Sequence, residues 1–113
     1  MKINGDIQVN LTRNVFYVLI LGNLSSKLWA DKWGKIEEKI IQGQFSGNAF
    51  NEIKIDFTNC VWADPLPLLS IFMLLIKVKN KNKIIIVLPC INHKDEKNTK
   101  FEKGQFLKSL ASQ

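Results

Sequence analysis

Histidine, arginine and cysteine are nearly missing from this chain, and each shortage excludes something. Among 113 residues there is one histidine, His93, and two cysteines, Cys60 and Cys90. That is too few ligands for a standard structural zinc site. His93 sits in a charged stretch with Lys94, Asp95, Glu96 and Lys97, and no Ser or Cys partner for a nucleophilic triad is identifiable. Each cysteine adjoins an apolar run, which predicts a buried, reduced thiol. Arg13 is the sole arginine, so the net charge of +6 is almost entirely lysine. Nucleic-acid readers depend on arginine forks and interleaved aromatics. Lysines scattered over turns and polar faces read instead as a solvated surface, and no nucleic-acid partner is expected.

Long apolar runs are also lacking. The most apolar stretch, residues 66–76, contains Pro67 and Ser70 and stops at Lys77, about half of the roughly 20 residues a membrane span needs. The first residues carry no apolar segment ahead of a small-residue cleavage site. A cytoplasmic location and no membrane partner are expected. No P-loop, GxGxxG motif or internal repeat occurs, and neither cofactor nor metal is expected.

What is present suffices for one packed domain. The chain is 46% hydrophobic and 23% charged, the balance of a globular domain rather than of a disordered segment. Ile7, Val9 and Leu11 alternate with polar residues, predicting a strand with one wet face. A turn at residues 12–14 leads to the nearly unbroken apolar run 15–21, the deeper strand of a hairpin. Ser25 and Ser26 can cap a helix whose Trp29, Trp33, Ile36 and Ile40 share one face. Residues 44–51 read as a loop anchored by Phe45 and Phe50. Ile53, Ile55 and Phe57 mark a third strand, followed by a loop over 58–63.

Asp64-Pro65-Leu66-Pro67 is a helix start: Asp64 is placed to cap it, and proline is tolerated where amides lack intrahelical partners. The following helix, to about residue 78, is apolar nearly all round and is expected to be substantially buried. Residues 84–88 form a buried strand ended by Pro89. A polar loop leads to a last helix from Thr99, with Phe106, Leu107 and Leu110 on one side. That helix lacks a terminator, so the chain is expected to be part of a longer protein. The expected fold class is α/β, with elements in the order β-β-α-β-α-β-α, a mixed sheet, and helices packed chiefly on one face.

The segment Ile53-Lys54-Ile55-Asp56-Phe57-Thr58-Asn59-Cys60-Val61-Trp62-Ala63-Asp64 resembles the STAS family, the domain of anti-sigma-factor antagonists. In that family a strand ends in an acidic residue, an apolar residue and Ser or Thr, and a second Asp eight positions after the first opens a helix. Asp56, Thr58 and Asp64 fit. The resemblance implies a bacterial signalling domain that docks on another protein or on another domain of the same chain, such as a kinase-like ATPase domain. It places partner contact at the turn and helix start, here Thr58, Asn59, Trp62, Asp64, Pro65, Leu66 and Pro67. Family members that are switched by phosphorylation carry Ser after the second Asp. Here Pro65, Leu66 and Pro67 follow it, and none has a hydroxyl, so a divergent member without the phospho-Ser switch is expected.

Other chemistry at these residues is weighed against plainer roles. Asp56 and Asp64 could pair for acid–base work or Mg²⁺, but Asp64 has a sufficient role as a cap and no third ligand is near in sequence, so no enzymatic activity is expected. The same helix start could instead take a nucleotide or another small molecule, since helix N-termini bind anions, although Pro65 and Pro67 remove two donors. Trp62 could be an exposed anchor for a partner or fold back over the core.

Overall fold

The computed structural model describes residues 4–89. The expected last helix, Cys90 and His93 lie outside the described residues. The elements run β1 (Asp6–Thr12), β2 (Val15–Leu24), α1 (Ser26–Gln42), β3 (Gln44–Phe45), β4 (Asn48–Ala49), β5 (Glu52–Asp56), β6 (Cys60–Ala63), α2 (Pro65–Val78) and β7 (Lys83–Val87).

β1 and β2 form an antiparallel hairpin in which Thr12 faces Val15. Its two turn residues, Arg13 and Asn14, both have positive φ, 51° and 68°, the twist a two-residue hairpin turn requires. β2 is the longest strand and has neighbours on both sides. Its first half pairs in parallel with β5, and its second half pairs in parallel with β6. β5 pairs in parallel with β7, giving the order β1-β2-β5-β7 with β6 beside the end of β2. The sheet is mixed, as expected.

Pairing register explains the layering. Phe16, Ile53 and Ile84 are lateral neighbours, as are Val18, Ile55 and Ile86. Side chains one strand apart point to the same face, and this face is the core. Phe16, Val18, Ile53 and Ile55 are fully buried there, together with Trp33, Ile36 and Ile40 of α1 and Leu68, Ile71 and Leu75 of α2. Both helices therefore cover one face. On the other face Tyr17, Leu19, Lys54 and Asp56 are half-exposed, with the Lys54 ammonium 5.5 Å from the centre of the Tyr17 ring.

Local chemistry sets the helix ends. The Ser25 hydroxyl accepts from the Leu28 N–H at 3.1 Å, a normal N-cap. Gly43 adopts φ 71°, and its N–H donates to the carbonyls of Lys39 and Ile40, the left-handed stop that favours glycine. Gly5 and Gly22 answer a different need. A Cβ on Gly5 would lie 1.9 Å from the Asn23 carbonyl oxygen, and one on Gly22 would lie 2.4 Å from that of Asn4. The two backbones touch where the register between β2 and β6 shifts.

Three expectations need correction. Residues 44–51 contain the small ribbon β3–β4, and residues 58–63 contain β6. Two- and four-residue strands are too short to show a period, and β6 is specified by a partner, β2, remote in sequence. The third concerns α2, which is buried on one side only. Leu66, Leu69, Met73 and Ile76 are 54%, 39%, 53% and 55% exposed.

Candidate functional site

The segment from Asp56 to Leu66 crosses from the sheet to the helical layer. At its start the Asp56 carboxylate accepts from the Thr58 N–H at 2.8 Å, an Asx-type turn. Hydrogen bonding from the Thr58 side chain holds the Asp56 carboxyl below the usual carboxylate range, against the opposing effect of burial. Phe57 is fully buried, and its N–H donates to the Val87 carbonyl at 2.8 Å. The chain then makes a tight turn and runs on in the same direction into β6, with the Cys60 N–H on the Phe57 carbonyl at 3.0 Å and the Gly22 N–H on the Asn59 carbonyl at 2.9 Å. Thr58 and Asn59 stand exposed at the tip. Cys60 is buried, and its thiol donates to the Trp62 carbonyl at 3.3 Å.

Asp64 has a different job from the one the sequence suggests. It stands at the N-cap position of α2, yet its side chain makes no capping bond to that helix. One carboxylate oxygen accepts from the Ser26 N–H at 2.8 Å and from the Ser26 hydroxyl at 3.2 Å. The other accepts from the Trp62 indole N–H at 3.2 Å. The backbone N–H of Asp64 donates to the Leu24 carbonyl at 2.9 Å. Asp64 thus ties the start of α2 to the start of α1, whose own first turn holds no acidic residue. A carboxylate beside the first amides of α1 complements that end of the helix dipole. The cap is spent across the fold because a Pro-X-Pro start leaves α2 few amides to cap. Pro65 and Pro67 have no N–H, and the Leu68 N–H reaches the Asp64 backbone carbonyl at 3.4 Å.

The residues marked by the sequence lie along one segment, Thr58 and Asn59 before the extended β6 and Asp64, Pro65 and Leu66 beyond it, and not all are accessible. Thr58, Asn59, Pro65 and Leu66 are exposed, and Trp62 and Asp64 are half-exposed. Pro67 is buried in the core, so it shapes the turn and has no surface to offer a partner. Trp62 lies in β6, half-exposed and pinned through its indole N–H, a position between the two the sequence left open. Ser26 is the member that sequence reasoning missed. It reads there as a spare cap, and its link to Asp64 spans 38 positions.

The arrangement is poorly suited to an anion. The mouth of α2 presents the Leu66 N–H beside a carboxylate, where phosphate sites combine several free amides with positive charge. Two surface grooves lie away from it. One, of about 380 Å³, includes Ile41, Phe50, Lys77 and Lys81. The other, of about 320 Å³, includes Val9, Lys32 and Lys35. Among the described residues, no group of three or more His, Cys, Asp or Glu is placed to hold a metal ion, and no helix is long and apolar enough to cross a membrane.

No protein-family model matches the sequence, and no curated protein does. Solved structures do. The structure of the anti-sigma factor antagonist SpoIIAA in its unphosphorylated form matches 84% of this chain and 96% of its own, with 17% identity and a TM-score of 0.52. A structure described as Mglu matches 73% of this chain but 19% of its own, at 7% identity and a TM-score of 0.54. An antisigma-factor antagonist STAS domain from Rhodobacter sphaeroides matches 74% of this chain and 85% of its own, at 15% identity and a TM-score of 0.45. The near-complete mutual coverage with SpoIIAA, on a mixed sheet with its two helices on one face, shows that this chain has a STAS-like fold, that of an anti-sigma-factor antagonist.

Proposed function

We propose that this is a regulatory domain that works by docking on another protein, or on another domain of its own chain, through the turn and helix start that follow β5. The observation that carries the reading is the build of that segment. Thr58, Asn59, Trp62, Pro65 and Leu66 reach the surface, while both aspartates are engaged as acceptors within the fold. A surface held in place before contact loses little freedom on binding. Trp62 and Leu66 supply the apolar area at its centre, and Trp is enriched among residues that dominate interfaces. The STAS-like fold is in keeping with this role in a bacterial signalling system, with a kinase-like ATPase domain as the partner to try first.

The domain carries no phospho-serine switch at this turn. Pro65 and Pro67 flank Leu66 after Asp64, and Ser70 lies more than a turn into α2, half-buried. Nucleotide sensing at the same place is the weaker reading, because the helix mouth offers few amides and a carboxylate.

The test is calorimetry with a purified partner, taken first from kinase-like ATPases encoded beside the gene. Leu66→Asp and Trp62→Asp should each weaken binding about tenfold or more, as central interface residues do, while Lys83→Glu on β7 should not. Folded variants that bind like the parent would remove this surface from consideration. Incubation with the partner and ATP should leave residues 65–70 without phosphate, and phosphate on Ser70 would overturn the unswitched reading.

A further inference from the structure

The exposed side of α2 is apolar where a surface helix is normally polar. Leu66, Leu69, Met73 and Ile76 follow one another at spacings of three, four and three, so they line one stripe along the helix. All four are well exposed. Lys77 and Ser70 flank the stripe, and Asp64 at its head is engaged elsewhere. The four side chains present a contiguous patch on the order of a few hundred Å², the size that on a soluble protein marks an interaction surface.

We propose that the chain's own segment 101–110, through Phe101, Phe106, Leu107 and Leu110, covers this stripe from Leu69 to Ile76 and stops short of Leu66, which the docking surface uses. Three observations favour it over a separate molecule. The first is where the described chain stops. The Val87 carbonyl at the end of β7 accepts from the Phe57 N–H, so β7 ends at the same edge of the sheet from which β6 leads through Asp64 into α2. The polypeptide therefore leaves β7 at the edge of the sheet where α2 begins.

The second is reach. The 11 residues from Cys90 to Lys100 can extend over roughly 35 Å, whereas residues 66–76 of α2 occupy about 15 Å. The third is size. A stable contact between separate proteins buries about 800 Å² on each side, well beyond this patch. A tethered segment needs less, because a short linker holds it at an effective concentration in the millimolar range. Apolar residues in segment 101–110 alternate with Glu102, Lys103 and Lys108, so one side can meet α2 and the other water. This inference does not rest on the docking function proposed above.

The experiment uses the full chain with Cys90→Ser, Met73→Cys and Leu107→Cys, treated with a short bismaleimide at about 10 µM protein. A control replaces Met73→Cys with Thr12→Cys at the exposed end of β1. The expected product is an internally bridged monomer, identified by intact mass and peptide mapping. It should form about a hundredfold faster than any bridge between molecules, the ratio of millimolar effective concentration to the protein concentration, and far faster than in the control. Bridged dimers whose yield rises with concentration would show that a second copy occupies the stripe and would overturn the proposal. A rate no greater than that of the control would overturn it equally. Phe106→Asp provides a second reading: it should lower the melting temperature of the parent but have little further effect on Met73→Asp. Equal losses in both backgrounds would refute the contact.

Discussion

Replacing Asp64 with alanine should destabilise the domain through α1, the helix it does not belong to. The substitution removes the acceptor of the Ser26 N–H at 2.8 Å, of the Ser26 hydroxyl at 3.2 Å and of the Trp62 indole at 3.2 Å. Hydrogen bonds to a charged group contribute about 1.5–3 kcal/mol when well shielded, and loss of a capping side chain costs about 0.5–2 kcal/mol. Ser26 is exposed, so water replaces part of what is lost, and the net cost should be about 1.5 kcal/mol. For a domain of this size that lowers the melting temperature by roughly 6–9 °C. The assay is urea unfolding followed by far-UV circular dichroism, run as a double-mutant cycle with Ser26→Pro. Proline is well tolerated at the first helical position, so this change deletes both Ser26 donors and leaves α1 able to form. In that background Asp64→Ala should cost about 0.5 kcal/mol or less, the remaining share of the Trp62 bond. An equal cost in both backgrounds would show that Asp64 acts on α2 after all, and the cross-helix clamp would have to be abandoned.

Three further outcomes follow from the same structure. The depressed Asp56 carboxyl adds stability above its unfolded value of about 3.9, and that stability is lost as pH falls through the lower folded value. Thr58→Val should raise the Asp56 midpoint in a carboxyl NMR titration and reduce urea resistance near neutrality, with the difference from the parent closing below pH about 3.9. Gly43 and Gly22 share positive φ, 71° and 64°, but a Cβ on Gly43 meets nothing within 4 Å. Gly43→Ala should therefore cost about 1 kcal/mol, and Gly22→Ala clearly more, because the Asn4 backbone must move; similar costs in chemical denaturation would contradict the close approach. Ile55→Ala, at a fully buried site on β5, should cost about 2–5 kcal/mol, and a loss below 1 kcal/mol would argue against the core as placed here.

The sequence revealed what depends on local pattern. Alternation in Ile53-Lys54-Ile55-Asp56 and the helical spacing of Trp33, Ile36 and Ile40 are written into neighbouring residues, and those elements stand where they were expected. The hairpin, the mixed sheet and the single covered face follow from them. What was hidden depends on partners far along the chain. β6 is a strand because β2 is long enough to receive it beyond β5, and four residues cannot announce that alone. The role of Asp64 was misread for the same reason: an Asp before a Pro-rich helix start looks like its cap, and nothing local points to Ser26. The apolar stripe on α2 was misread in the opposite sense. Composition shows that a helix is apolar on every side but does not say which sides the rest of the fold reaches.

The devices at the turn and helix start after β5 share one effect, which is to restrict the chain. Pro65 and Pro67 fix φ at two of the first three positions of α2. Thr58 closes the turn on Asp56, and Asp64 locks the next corner to α1. Two amides that anion binding would use are lost to proline, and both carboxylates already accept protein donors. A site meant to grip phosphate would keep those amides. A rigid surface with exposed Leu66 and half-exposed Trp62 instead suits recognition by shape and apolar contact, where ordering the surface beforehand leaves more of the contact energy as affinity.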